Sequence, residues 1–202
     1  MIGIINYGLG NVKAISNIFN KIGVDNLFIN NAEDFKKITK IILPGVGTFD
    51  ASINLLKEKN FVNILDDYVM NKKIPILGIC IGMQIMAYKS SEGIEKGFGW
   101  IPGEIVKFKN ESNNRKYRLP HMGWNSIDTD NDILFKNIKN PEFYFLHSYF
   151  YKLENINHKI STTNYINEFP SAINNENIFA TQFHPEKSHL FGIRLLKNFS
   201  DI

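Results

Sequence analysis

Ile74-Pro75-Ile76-Leu77-Gly78-Ile79-Cys80-Ile81-Gly82-Met83-Gln84 is an apolar run that passes through Gly-x-Cys-x-Gly into helical spacing. A strand that turns sharply into a helix needs small residues two positions either side of the turning residue, because larger side chains there collide with the turn. The stretch therefore predicts a buried strand over 74–80, a strand-to-helix elbow, and Cys80 at its apex. At a helix N-terminus, free N–H groups and the positive end of the dipole favour a thiolate. A cysteine ending an apolar strand is usually core filler. The two flanking glycines reverse that balance.

Upstream, Ile2 to Asn6, Leu27 to Asn30 and Lys40 to Leu43 read as further buried strands. Between them Val12, Ile15, Phe19 and Ile22 recur at helical spacing and Gly23 supplies the stop. Phe49, Ile53 and Leu56 repeat the pattern, as do Val62, Leu65 and Val69. Strands of this length alternating with helices predict βαβ units and a parallel sheet covered on both faces.

Downstream the rhythm changes, with strand-like Glu104 to Phe108, Met122 to Ile127, Phe143 to Tyr151 and Ile178 to Phe183 between polar turns. A mixed sheet is expected there. Asn110 to Arg118 is the most polar stretch and reads as a surface loop. Leu190, Arg194, Leu195 and Phe199 close the chain as an amphipathic helix. With no repeat or linker to divide it, the chain reads as one α/β domain over 1–202. Its sheet is expected to be open, mixed and mostly parallel, flanked by helices in flavodoxin-like layers.

A net charge of +3, from 23 basic and 20 acidic side chains, is too small to argue for nucleic acid. The start lacks the basic n-region and cleavage site of a signal peptide, and no apolar run approaches the ~20 residues of a membrane-spanning helix. The expectation is a soluble, cytoplasmic protein. One cysteine excludes an intrachain disulfide and a Cys-based metal cluster within one chain. The reading calls for no metal and no cofactor.

A thiol nucleophile needs a base within hydrogen-bond reach and a third group to orient that base. Of five histidines, His158 lies in Asn-rich text and is expected to face solvent, and His189 reads as a helix-face residue. His121 and His147 sit in or beside strand patterns, where packing and substrate positioning weigh as much as catalysis. His184, in Ala180-Thr181-Gln182-Phe183-His184-Pro185-Glu186-Lys187-Ser188, ends an apolar strand two residues before a carboxylate. Residues two apart in an extended segment share a side, so Glu186 can hold the imidazole while His184 faces Cys80. Separately, Leu43-Pro44-Gly45-Val46-Gly47 ends a strand ahead of a helix beginning near Thr48 or Phe49. Glycines there allow backbone N–H groups to approach a ligand, and an oxyanion role fits better than phosphate binding because both phosphate-loop fingerprints are absent.

Pro44-Gly45-Val46-Gly47, Gly78-Ile79-Cys80-Ile81-Gly82-Met83-Gln84 and Thr181 to Ser188, in this order and spacing, resemble the class I glutamine amidotransferases over nearly the whole chain. Within that class, Ile5-Asn6-Tyr7-Gly8-Leu9-Gly10-Asn11, Pro120-His121-Met122-Gly123-Trp124-Asn125 and Phe145-Leu146-His147-Ser148-Tyr149 are similar to glutaminase subunits of imidazole glycerol phosphate synthases. The resemblance implies Cys80 as nucleophile, His184 as base and acid, and Glu186 as its orienter. It implies oxyanion donors from Gly47 and Ile81, after a rearrangement of the peptide at Val46. Gln84, Glu92, Ser148 and Tyr149 match positions that hold glutamine. Asn11, Met122, Trp124 and Lys187 match the face that docks on a (β/α)8 barrel cyclase in a heterodimer.

Ser188-His189-Leu190-Phe191-Gly192 is instead similar to paralogues that serve surface-sugar pathways, which gives an alternative ammonia acceptor. A catalytically silent binding subunit is the third reading, and the intact Cys, His and Glu weigh against it.

Overall fold

The computed structural model describes residues 1–109, 118–130 and 132–202. All of the polar stretch read as a loop, except Arg118, lies outside the described residues. The first half runs β1 (Ile2–Ile5), α1 (Val12–Lys21), β2 (Asn26–Ile29), β3 (Lys40–Leu43), α2 (Phe49–Glu58), α3 (Val62–Asp66), β4 (Ile76–Ile79) and α4 (Ile81–Gln84). Then follow β5 (Lys89–Ser90), β6 (Gly103–Lys107), β7 (His121–Ser126), β8 (Asp128–Thr129), β9 (Glu142–His147) and β10 (Tyr149–Leu153). The chain ends with β11 (Lys159–Asn164), β12 (Glu168–Asn175), β13 (Ile178–Thr181) and α5 (His189–Asp201).

The main sheet has the order β2-β1-β3-β4-β13-β12-β11-β8. It is parallel from β2 to β13 and antiparallel beyond. Strands β1, β4 and β13 are buried at every residue, as strands covered on both faces must be. Phe19 of α1, Phe49 of α2 and Phe199 of α5 close those faces with no exposed surface. Each such side chain stabilises the fold by about 1.5–3 kcal/mol through burial. β4 lies between β3 and β13, so its carboxyl end, where ligands of open α/β sheets collect, carries Cys80.

The segment read as one strand over 143–151 is two strands broken at Ser148. β9 pairs antiparallel with β7, His121 opposite His147 and Trp124 opposite Tyr144, as a separate two-stranded sheet. β10 pairs with β6 in a third sheet. The break turns Ser148 and Tyr149 towards the carboxyl end of β4. Two long strands were not anticipated, because β11 and β12 bury Ser161, Thr162, Thr163 and Ser171 where aliphatics would mark a strand. The Ser161 and Ser171 hydroxyls satisfy each other at 2.8 Å.

Candidate active site

The elbow is built from backbone packed on backbone. Cys80 has φ 55° and ψ −108°, a left-handed conformation that a non-glycine residue adopts only where its surroundings enforce it. A Cβ on Gly82 would lie 1.9 Å from the Leu43 carbonyl oxygen, and one on Gly78 would lie 2.7 Å from the Gly82 carbonyl oxygen. A Cβ on Gly45 would lie 2.6 Å from the Gly82 nitrogen, so the Pro44–Gly47 loop rests directly on the elbow. The Tyr7 hydroxyl fixes that loop by donating to the Pro44 carbonyl at 2.8 Å. Helix α4 is a single turn, so it offers Cys80 its first N–H groups rather than the dipole of a long helix.

His184 arrives from the end of β13 and is held by hydrogen bonds. Its backbone N–H donates to the Tyr144 carbonyl at 2.8 Å. Pro185–Lys187 form a 3-10 turn, so a turn, not the extended segment expected, brings Glu186 back onto the imidazole. His184 Nδ1 meets Glu186 Oε1 at 2.9 Å, with 1% and 2% of the two side chains exposed. The Ser188 hydroxyl donates to the His184 carbonyl at 2.6 Å and accepts from the Tyr144 N–H at 3.0 Å. Burial alone lowers the His184 pKa, but neighbouring Cys80 and then Glu186 outweigh it and raise the pKa to about 10. Near neutral pH the site therefore favours an imidazolium beside the sulfur. Among the described residues His184 Nε2 has no hydrogen-bond partner, which leaves it available to an incoming group.

These groups share a cavity of about 220 Å³. Cys80, Ile81, His184, Val46 and Gly47 line it together with Gln84, Glu92, Ser148 and Tyr149, while Glu186 sits behind His184 and does not line it. A larger cavity of about 440 Å³ beside α5 holds neither a cysteine nor a histidine. Glu92 also has a structural task, since its Oε2 accepts the Phe49 N–H at the start of α2 at 2.9 Å.

Two contributors were missed in the sequence. The Gln182 amide donates to Cys80 Sγ at 3.7 Å and accepts from Gln84 Nε2 at 3.0 Å. A buried amide two residues before His184 was the signal available. The Leu146 carbonyl accepts from Cys80 Sγ at 3.8 Å, and a backbone oxygen leaves no mark in a sequence.

Asn11, Met122, Trp124 and Lys187 are all exposed. Trp124 is 46% exposed, so it does not fill the core. On the outer face of β7 and β9, Met122 lies opposite Leu146 and Trp124 opposite Tyr144. His189 stacks on Trp124 at 5.2 Å, and Lys187 Nζ lies 5.4 Å from the Tyr144 ring centre. His158 is half-buried rather than solvent-facing, because its short 3-10 turn packs against β12.

The class I glutamine amidotransferase model matches residues 3–201. The chain belongs to the class I glutamine amidotransferases. Across 204 residues it is 46% identical to imidazole glycerol phosphate synthase subunit HisH of Leptospira interrogans, covering all of both chains. It is 46% identical over 201 residues to subunit HisH 2 of Methanococcus maripaludis, covering 98% of each. A solved glutamine amidotransferase superposes with a TM-score of 0.76 over all of this chain and 99% of its own, at 13% identity, which speaks for the amidotransferase fold alone. Among the described residues no helix is long and apolar enough to cross a membrane.

Proposed function

We propose that this chain is the glutaminase subunit of an imidazole glycerol phosphate synthase, acting in the cytoplasm as one domain over 1–202, with Cys80, His184 and Glu186 as its catalytic triad. The observation that carries the reading is that Cys80 and His184 line one cavity while Glu186 pairs with His184 out of solvent. The full-length identity to HisH subunits supports the acceptor pathway.

In this mechanism the Cys80 thiolate attacks the side-chain carbonyl carbon of glutamine. The N–H groups of Ile81 and of Gly47 or Val46 stabilise the oxyanion, and each such donor is worth about 3–4 kcal/mol when lost. His184 gives its Nε2 proton to the departing nitrogen as the C–N bond breaks, which leaves ammonia and a γ-glutamyl thioester. Water then attacks the thioester, His184 takes its proton, and glutamate leaves with the thiolate restored. Gln84, Glu92, Ser148 and Tyr149 hold the substrate. Ammonia passes to a (β/α)8 cyclase docked on Asn11, Met122, Trp124 and Lys187. Docking turns the peptide at Val46 so that an N–H, not a carbonyl, faces the oxyanion, and the lone chain idles.

A histidine auxotroph lacking its glutaminase subunit tests the reading. At low ammonium it should grow when given this chain with its cognate cyclase, and the Cys80→Ser chain should fail. Glutamate release without rescue would move the acceptor to a sugar precursor.

A further inference from the structure

Two buried histidines take no part in that mechanism. His121 on β7 and His147 at the end of β9 are 3% and 5% exposed, and their rings meet through His121 Nδ1 and His147 Nε2 at 3.0 Å. His147 Nδ1 lies 2.8 Å from the Tyr149 carbonyl. At the other end, Asn125 Nδ2 lies 3.2 Å from His121 Nε2 and 3.0 Å from the Asn164 carbonyl.

Both ends of this chain fix the same direction. The Tyr149 carbonyl only accepts, so His147 carries its proton on Nδ1, and a neutral ring then accepts at Nε2. His121 must donate from Nδ1 and accept at Nε2, and there Asn125 supplies one N–H while its other goes to Asn164. Burial holds both imidazoles neutral, with His121 lowered to about 4 and His147 to about 3. The Tyr149 carbonyl at the end of the chain also accepts Gln84 Nε2 at 3.2 Å, and the same Nε2 reaches Gln182, which donates to Cys80. Asn125 lies one residue beyond Trp124, so the line runs from the exposed β7–β9 sheet to the cavity wall.

We propose that Asn125, His121 and His147 form a one-way relay of neutral hydrogen bonds that sets the Ser148–Tyr149 corner and the Gln84 amide for glutamine, making both histidines positioning residues of the glutamine site. The relay explains why strand pairing stops at Ser148. His147 ties its own Nδ1 to the carbonyl two residues on, closing the corner between two sheets. It also gives the docking sheet a direct mechanical connection to the substrate pocket.

This inference rests on the glutaminase reading, and the test separates the two. His121 stacks on Phe145 at 4.6 Å and on Tyr165 at 4.0 Å, so His121→Phe keeps the packing and deletes the donor. His121→Asn places an amide N–H where Nδ1 was. In the full chain with its synthase partner, His121→Phe should raise the glutamine KM about tenfold, the effect of one unsatisfied buried acceptor. It should change kcat less than about twofold, because the triad is untouched. His121→Asn should recover most of the KM. Equal KM in wild type and His121→Phe, or no recovery with Asn, overturns the relay while wild-type turnover upholds the glutaminase. A wild type that releases no glutamate brings down both. If His121→Phe does not fold, nitrogen NMR of the wild type decides alone. Neutral rings protonated on Nδ1 at pH 7 support the relay, and an Nε2-protonated or charged ring overturns it.

Discussion

The Cys80 side of the cavity is backbone packed against backbone, whereas the His184 side is side chains held by hydrogen bonds. On the first side a methyl group on Gly45, Gly78 or Gly82 would meet backbone atoms at 1.9–2.7 Å, and Cys80 keeps a left-handed conformation at the centre of that packing. On the second, Glu186, Ser188 and Tyr144 hold the base through contacts of 2.6–3.0 Å, and Tyr144 sits on the exposed β7–β9 sheet. On the proposed reading, a partner pressing on that sheet shifts His184 and the Ser148–Tyr149 corner without moving Cys80. Close packing fixes a geometry, and hydrogen bonds let it be adjusted.

The sharpest way to break this contrast is Gly82→Ala. With the new methyl 1.9 Å from the Leu43 carbonyl oxygen, stability should fall by more than about 4 kcal/mol, and denaturant unfolding or lost soluble yield reads it. A variant of near-wild-type stability would show that the elbow is not rigid.

Next in size is Glu186→Gln, which keeps the shape but removes the charge that orients and supports the imidazolium. Glutamine kcat should drop about a hundredfold to ten-thousandfold, with the fold intact by circular dichroism. A change of less than tenfold would mean that the His184 side is held by Ser188 and Tyr144 alone.

The histidines divide by pH in the same way. His121 and His147 are lowered from 6.5, so the unfolded chain takes up protons that the native one refuses. Their stabilisation is complete above about pH 6.5 and falls as pH drops, at up to about 1.4 kcal/mol per pH unit for each. His184 is raised to about 10, so its stabilisation is complete below about pH 6.5 and is lost as pH rises through about 10. Between pH 7 and pH 5, His121→Phe should lose about 2 kcal/mol less stability than wild type in denaturant titrations. Identical losses would contradict a buried neutral pair.

The smallest effect on the fold belongs to Trp124→Ala. At 46% exposure its loss should cost less than about 1 kcal/mol of stability yet weaken binding of the synthase partner by about 2 kcal/mol, measured by calorimetry. Unchanged binding would move the docking face elsewhere.

The two sides were also unequally legible in the sequence. The parallel strands announce themselves because burial on both faces leaves runs dominated by aliphatic residues, as in Ile41, Ile42 and Leu43. The elbow announces itself through its glycines. The antiparallel half hides, because β11 and β12 bury hydroxyls that satisfy one another and so read as polar text. His121 and His147 stand 26 residues apart and meet only through the register of β7 against β9, which no local pattern specifies. Gln182 was visible but carried no motif of its own, and the Leu146 carbonyl had no side chain to read.

Cys80 is proposed as the nucleophile of a glutaminase whose product is used by another chain. The direct measurement is glutamate release and synthase product formation by the complex, with wild type compared against Cys80→Ala. Wild type should use glutamine, and Cys80→Ala should lose glutamine-dependent turnover by a factor on the order of a thousand or more while ammonia added directly still supports the synthase. Comparable glutamate release from the Cys80→Ala complex would contradict the account.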